Sequence, residues 1–183
     1  MKTRAFIAVN LPATIKKELD NQINKIKNAL NGDIKWVRPE NFHLTLHFLG
    51  YLDEKKIIAI QRILDEEIKN ANVFSLEIEE LGAFPNKSRP RVLFIKCRQT
   101  DGNSLMNLQK SIGEELEKIG IKTDDRPWQT HITFARFRIP VQTSLAEFQT
   151  ANKLKFQVDS VDLMKSELRR EGPIYTIIKK FFL

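Results

Sequence analysis

The chain has 183 residues, of which 42% are hydrophobic and 29% charged, a composition that excludes the disordered class and is typical of a folded globular protein. Its net charge of +7 favours a polyanionic partner such as nucleic acid. No apolar run approaches the ~20 residues of a membrane span. The single cysteine, Cys97, excludes an intrachain disulfide and a thiolate metal cluster. We therefore expect a cytoplasmic protein without membrane contact, with Cys97 in its core.

The first third of the chain alternates predicted strands and helices. A strand is predicted over residues 3–9, and an amphipathic helix over residues 11–30, where apolar side chains recur at helical spacing. Residues 34–37 and 42–49 are predicted to form two strands that pair with each other. Gly50 is expected to end the second strand of this pair.

Further along the chain, Asp53 is expected to cap a second helix with one apolar face. Strands are predicted from Phe74 and over residues 91–97, and a third helix over residues 103–119. The remaining predicted elements are a short helix and two strands, at 144–149, 154–163 and 174–182. Short turns join many strands and no glycine-rich phosphate loop is present, which favours an α+β fold with antiparallel sheets over a doubly wound parallel sheet.

One phrase is written twice in the chain, with an offset of 88 residues. The first copy reads Arg-Pro-Glu-Asn-Phe-His43-Leu-Thr45, and the second reads Arg-Pro-Trp-Gln-Thr-His131-Ile-Thr133. A lone histidine on an apolar strand is more often a buried residue that its neighbours hydrogen-bond. Two of the chain's three histidines in matched phrases instead favour a shared function.

The duplication extends beyond the phrase, because the same offset relates residues 6–9 to residues 94–97. Strand, helix and histidine strand therefore occur twice in the same order. We predict a single domain over residues 1–183, built from two similar half-structures that bring the two phrases together.

The two phrases supply a defined chemistry. Side chains alternate along a strand, so His43 and Thr45 project from one face, as do His131 and Thr133. Imidazoles titrate near neutrality, so one can take a proton from an attacking water while the other gives one to a leaving oxygen. Threonine hydroxyls can donate hydrogen bonds to the oxygens of a phosphoryl group. This set suits phosphodiester chemistry without a metal.

These residues resemble the two-histidine phosphoesterase superfamily. The resemblance rests on both His-x-Thr phrases with their leading Arg-Pro, and on the run His-Leu-Thr-Leu-x-Phe-Leu-Gly at 43–50. It also rests on a C-terminal phrase, Ser166-x-Leu168-x-x-x-Gly172-Pro-x-Tyr175. Within the superfamily the chain is similar to the RNA 2′,3′-cyclic phosphodiesterases, long called 2′-5′ RNA ligases, over essentially its whole length.

The resemblance implies a bilobal α+β fold with two pseudo-twofold-related lobes. Each lobe has an antiparallel sheet and flanking helices, and the active-site cleft lies between them. It also implies metal-independent hydrolysis of an RNA 2′,3′-cyclic phosphate end to a 2′-phosphate, with no cofactor. Family members also join RNA ends through a 2′-5′ linkage. The expected partner is RNA or an oligonucleotide with a 2′,3′-cyclic phosphate end, and the expected state is a monomer.

Carried over by position, the implied site consists of the acid and base His43 and His131, the phosphate-holding hydroxyls Thr45 and Thr133, and the phosphate-binding Arg136. Strict alternation would put Arg136 on the face opposite His131, so its role requires a bulge or a strand end there. The chain also departs from the family at Thr130, where the family often has proline before the second histidine.

Two rival interpretations stay open at this point. His43 and His47 have the spacing of two metal ligands on a helix, although the local sequence favours a strand. A non-catalytic RNA-binding protein that retains the cleft is the other. His47 itself is expected at the cleft rim or exposed. Four aromatic residues are candidates for base stacking or for the core: Trp36, Phe48, Trp128 and Tyr175.

Overall fold

The computed structural model describes residues 2–69, 71–124, 126–139 and 154–183. The strands within these ranges are β1 (Thr3–Asn10), β2 (Ile34–Trp36), β3 (His43–Leu52), β4 (Phe74–Phe84), β5 (Val92–Gln99), β6 (His131–Phe137), β7 (Lys155–Val158), β8 (Ser160–Arg169) and β9 (Gly172–Phe182). The helices are α1 (Ala13–Ala29), α2 (Glu54–Ile68) and α3 (Ser104–Lys118), and a 3-10 turn spans Pro39–Asn41.

All strands of the described chain belong to one antiparallel sheet with the order β7-β4-β5-β6-β3-β1-β8-β9, and β2 pairs with β6. This order reads the same from either end when β3 is matched to β6 and β1 to β5. The two half-sheets meet where Leu44 of β3 pairs with Ile132 of β6. The predicted α+β fold class is therefore confirmed, and the two histidine strands lie at the centre.

The two faces of the sheet have different cover. The helices pack their apolar faces onto one side, with Leu19, Ile60 and Ile112 fully buried there. On the opposite face Phe6, Ala8 and Met164 form a separate small cluster, against which Tyr175 packs. Strand alternation explains this separation, since odd residues of β1 face the helices and even residues face away. The helix-free face is available to form a cleft. No helix in the described ranges combines the length and apolarity needed to cross a bilayer.

Each histidine strand contains a β-bulge at the same place. In β3, Thr45 pairs with Ala8 and His47 with Ile7, so Leu46 is the extra residue. In β6, Thr133 pairs with Phe94 and Ala135 with Leu93, so Phe134 is the extra residue. Two consecutive residues are buried at each bulge, and the alternation of faces is reversed beyond it.

The strand registers correct one detail of the repeat. Ala8 of β1 lies opposite Thr45, whereas Phe94 of β5 lies opposite Thr133. Relative to the histidine strands, β1 and β5 are therefore offset by 86 residues, and the predicted match of residues 6–9 to 94–97 is two residues out. A shift of two keeps every side chain on its face, which is why hydrophobic pattern alone did not reveal it.

The predicted pairing of residues 34–37 with 42–49 is wrong. β2 instead pairs with β6, and the Val37 amide donates to the Phe134 carbonyl at 2.8 Å. The 3-10 turn that follows β2 redirects the chain, so sequence neighbours do not become sheet neighbours.

Two strand ends also differ from the prediction. Gly50 does not end β3: it has a φ of 70° beside a second register shift, and the strand bends there and continues to Leu52. The predicted strand at 154–163 is divided at Asp159 into β7 and β8. The helix predicted at 144–149 lies outside the described residues.

The cap of α2 gives a test of the local structure. The Asp53 carboxylate accepts a hydrogen bond from the Lys56 amide at 2.9 Å, as predicted. We expect Asp53→Ala to lower the free energy of unfolding by about 1 kcal/mol, because this amide loses its partner. Asn103→Ala is the matched control, since Asn103 precedes α3 without a side-chain cap bond. Urea denaturation measures both, and equal losses would contradict the capping role.

Candidate active site

The structure brings the two predicted histidines to the middle of the sheet. His43 is the first residue of β3, and His131 is the first residue of β6, its neighbour. The two imidazoles lie close enough that positive charge on His131 lowers the pKa of His43. Both phrases therefore contribute to one site, on the helix-free face of the sheet.

A backbone carbonyl fixes the tautomer of each neutral imidazole. His43 Nδ1 lies 2.7 Å from the Asn41 carbonyl oxygen, and His131 Nδ1 lies 2.7 Å from the Gln129 carbonyl oxygen. A carbonyl only accepts hydrogen bonds, so Nδ1 carries the hydrogen in both rings. Nε2 of each neutral ring is left as the atom that can take up and release a proton.

Aromatic rings enclose both histidines. The centroid of His43 lies 5.0 Å from Phe6 and 5.2 Å from Tyr175. The centroid of His131 lies 5.1 Å from Phe94 and 5.4 Å from Phe84. These rings exclude water from the imidazoles on the sides that they cover.

This enclosure favours neutral imidazoles. Burial is the main cause that lowers the pKa of His43, to about 4, and nearby Lys16, His131 and Arg136 lower it further. Its bond to the Asn41 carbonyl raises the pKa only in part. The pKa of His131 is also lowered, by burial and then by Arg136. In the free protein both rings are therefore mainly neutral near pH 7.

The two predicted threonines lie beside the histidines. Thr45 Oγ1 is 3.0 Å from His43 Nε2 and is partly exposed. Thr133 lies two residues beyond His131 on β6, is also partly exposed, and pairs with Phe94. The Trp128 indole donates to the Thr45 carbonyl at 3.1 Å, which ties the approach to His131 to the strand that carries His43.

The bulge in β6 brings Arg136 to the site. The reversal of faces at Phe134 returns Arg136 to the side of His131 and Thr133. The exposed Arg136 guanidinium lowers the pKa of His43, His131 and Tyr175. The geometric condition for its predicted role, a bulge between His131 and Arg136, is therefore met.

Thr130, the residue before the second histidine, accepts a hydrogen bond at its carbonyl from the Cys97 amide at 2.9 Å, which fixes the chain where it enters β6. Cys97 is buried, as predicted, and burial raises the pKa of its thiol.

His47 does not lie where the sequence indicated. It is only 6% exposed, and its Nε2 donates to the Gln109 carbonyl of α3 at 2.7 Å. Its ring packs on Gly113, where an added Cβ would come within 2.9 Å. The expectation of an exposed or cleft-rim residue is therefore wrong, because the bulge at Leu46 turns His47 toward the helices. His43 and His47 consequently face opposite sides of the sheet and cannot share a metal ion.

Two residues of the site gave no signal in the sequence. The Asn41 side chain donates to the Pro173 carbonyl at 3.0 Å, next to Tyr175, and steadies the turn whose backbone holds His43. The Lys16 ammonium donates to the Glu40 carbonyl of the same turn at 2.7 Å. Neither contact could be predicted from the sequence. Any residue supplies a backbone carbonyl, and Lys16 is one of several lysines on an amphipathic helix.

Two central His-x-Thr strands in a curled antiparallel sheet, with an arginine beside them, define the class of two-histidine phosphoesterases. The chain belongs to the LigT like Phosphoesterase family, whose sequence profile matches residues 9–94 and 96–175.

Relatives match over the whole chain. This chain is 33% identical to the RNA 2′,3′-cyclic phosphodiesterase of Aquifex aeolicus, over 98% of this chain and 97% of the relative. It is 30% identical to the RNA 2′,3′-cyclic phosphodiesterase of Methanothermobacter thermautotrophicus, over 100% of both chains. The crystal structure of TT0787 of Thermus thermophilus superposes with a TM-score of 0.84 at 28% identity, over 98% of this chain and 97% of that one.

Both imidazoles should titrate below the ordinary pKa of a histidine. We expect His43 to titrate near pH 4 and His131 below the ordinary pKa of a histidine, measured by NMR of the imidazole carbons. Because the folded pKa of His43 is below its unfolded value, the associated stability is complete above pH 6.5 and is lost as the pH falls toward 4. His43→Gln should flatten this part of the stability profile. Titration of His43 at or above 6.5 would contradict the burial described here.

Proposed function

We propose that this chain hydrolyses RNA 2′,3′-cyclic phosphate ends to 2′-phosphates, with His43 and His131 as the base and acid. The observation that carries the proposal is the pair of adjacent imidazoles, each held at Nδ1 by a backbone carbonyl 2.7 Å away. This arrangement leaves two Nε2 atoms for proton transfer at one site. The relatives named RNA 2′,3′-cyclic phosphodiesterase support the choice of substrate.

In the proposed step, one imidazole takes a proton from water as the water oxygen bonds to phosphorus. The bond from phosphorus to the 3′ oxygen breaks, and the other imidazole gives its proton to that oxygen. His43 suits the base, because its pKa of about 4 keeps it neutral at pH 7. With His43 as the base, the acid role falls to His131, and an anionic phosphate in the site favours the charged form of an imidazole.

Three further residues are proposed to hold the phosphoryl group. The hydroxyls of Thr45 and Thr133 donate to its non-bridging oxygens, and the guanidinium of Arg136 balances their charge. All three lie on the same face of the sheet as the histidines. Together they stabilise the charge that develops during attack, so the residues present account for proton transfer and charge stabilisation without a Lewis acid.

The base of the terminal nucleotide is proposed to stack on Phe48. Phe48 lies just beyond the bulge of β3, as Arg136 does in β6, and its side chain is 63% exposed beside Phe6. An exposed aromatic ring next to a phosphate site is a typical platform for an unpaired RNA base.

The same step with a different nucleophile accounts for the second proposed activity. If an RNA 5′-hydroxyl replaces water, loss of the 3′ oxygen leaves a 2′-5′ phosphodiester. The proposed setting is the cytoplasm, with the chain acting as a monomer on RNA ends.

The activity test is hydrolysis of adenosine 2′,3′-cyclic phosphate in excess EDTA. We expect adenosine 2′-phosphate as the product, at the same rate with and without chelator, measured by chromatography against both phosphate isomers. Activity that is lost with EDTA and returns only with a divalent ion would overturn the metal-independent mechanism. Binding without any turnover would instead favour the non-catalytic RNA-binding role.

The histidines should act as a unit. We expect His43→Ala and His131→Ala each to lower kcat by at least about a hundredfold, and the double variant to be little worse than either one. Steady-state kinetics of the three variants measures this, with thermal unfolding as the check on folding. Near-normal turnover in one single variant would remove that histidine from the mechanism.

A substrate with sulfur in place of the 3′ oxygen separates the two roles. A thiolate leaves without being protonated, so this substrate does not need the acid. If His131 is the acid, the sulfur substrate should restore most of the rate of His131→Ala and little of the rate of His43→Ala. The opposite pattern would exchange the two assignments.

A further inference from the structure

An arginine that the proposed reaction does not use lies on the cleft face of β1. Phe6 and Ala8 belong to the helix-free face, so Arg4 projects from the same side by strand alternation. Its Nη1 donates to the Ser166 hydroxyl of β8 at 2.7 Å. Ser166 in turn pairs with Tyr175 on β9. Arg4 thus belongs to a row of side chains that ends at the ring packed against His43.

The Arg4 guanidinium is oriented but not neutralised. Ser166 is only 4% exposed, so its hydroxyl is a fixed partner. Within the described ranges no carboxylate forms an ion pair with Arg4. A single bond to a neutral hydroxyl leaves most of the five donors of a guanidinium free. An arginine held in this way is prepared to bind an anion.

Arg4 lies near the proposed phosphate site. The positive charges of Arg136 and Arg4 both lower the pKa of Tyr175, against the larger effect of its burial. Tyr175 therefore lies within the field of both arginines. An RNA strand whose cyclic phosphate lies at Arg136 has its next phosphate one nucleotide away. Arg4, which acts on the same tyrosine as Arg136, is a cation in position to bind that second phosphate.

An exposed aromatic residue lies beside Arg4. Tyr51 of β3 pairs directly with Arg4, so both project from the same face. Its side chain is 62% exposed. β3 therefore presents two exposed rings on the cleft side, Phe48 next to the proposed reaction site and Tyr51 beside Arg4. A cation between stacking platforms is the usual arrangement for binding single-stranded nucleic acid.

We propose that Arg4 binds the phosphodiester that links the terminal nucleotide to its 5′ neighbour, and that the neighbour's base stacks on Tyr51. The inference rests on the proposed function and extends it: the preferred substrate is an RNA chain of at least two nucleotides, not a cyclic mononucleotide.

The test compares kcat/KM for adenosine 2′,3′-cyclic phosphate with that for the dinucleotide ApA carrying the same cyclic end. We expect the protein to prefer the dinucleotide by about tenfold, the effect of one charge-assisted hydrogen bond. Arg4→Ala should remove most of this preference, and Tyr51→Ala should remove a smaller part of it. Arg62→Ala is the matched control, because it removes the same charge from an exposed position on α2 and should leave the ratio intact.

Binding gives an independent readout. Affinities for the 2′-phosphates of adenosine and ApA, measured by calorimetry, should show the same ratio and the same loss in Arg4→Ala. In Arg4→Ala, the slope of the logarithm of the ApA binding constant against the logarithm of salt concentration should become shallower by the amount expected for about one phosphate contact. Ser166→Ala, which removes only the orienting hydroxyl, should retain part of the preference.

Two outcomes would overturn the inference: equal values for mononucleotide and dinucleotide in the unaltered protein, or an unchanged ratio in Arg4→Ala. An equal loss on both substrates is a form of the second outcome, and it would mean that Arg4 acts on the terminal nucleotide or on folding. Failure to hydrolyse either substrate would refute the proposed function, while the binding ratio would still decide the role of Arg4.

Discussion

The paired bulges in β3 and β6 are the constraint on which the rest of the site depends. An extra residue at the same place in each strand, Leu46 in β3 and Phe134 in β6, reverses the alternation of side chains there. Before the bulge each strand presents a histidine and a threonine to the cleft. Beyond it, Arg136 in one strand and Phe48 in the other return to that face. Without the bulges a regular sheet would turn both of these side chains toward the helices.

Burial gives the histidines their chemical character and also carries a cost. Enclosure by Phe6 and Tyr175 disfavours the charged imidazole of His43, which lowers its pKa to about 4. The carbonyl of Asn41 compensates only in part, and it fixes which nitrogen carries the hydrogen. A group held neutral in this way makes the folded state more sensitive to acid. The fold thus gives up some stability at low pH to keep a proton acceptor available near neutrality.

The two halves are similar but not chemically equal. Because β1 and β5 differ in register by two residues, Ala8 lies where Phe94 lies in the other half. The ring of Phe94 packs on Gly82, where a Cβ would come within 2.2 Å, and beneath His131. In the first half the equivalent position holds the small side chain of Ala8, and the ring of Phe6 packs against His43 instead. Lys16 adds a positive charge near His43, and these differences let two copies of one motif take different roles.

The sequence by itself determined the elements whose cause is local. Helical spacing of apolar residues gave α1, α2 and α3, and Asp53 marked a cap that forms as expected. The duplicated phrase identified the two histidines and two threonines as candidate site residues, since a repeat can be seen in the sequence without knowledge of contacts. Only the tertiary structure decided the partner of β2, the burial of His47 and the return of Arg136 to the cleft. Each of these depends on pairing between distant strands, and a bulge is defined by the partner strand, so no local pattern in the sequence specifies it.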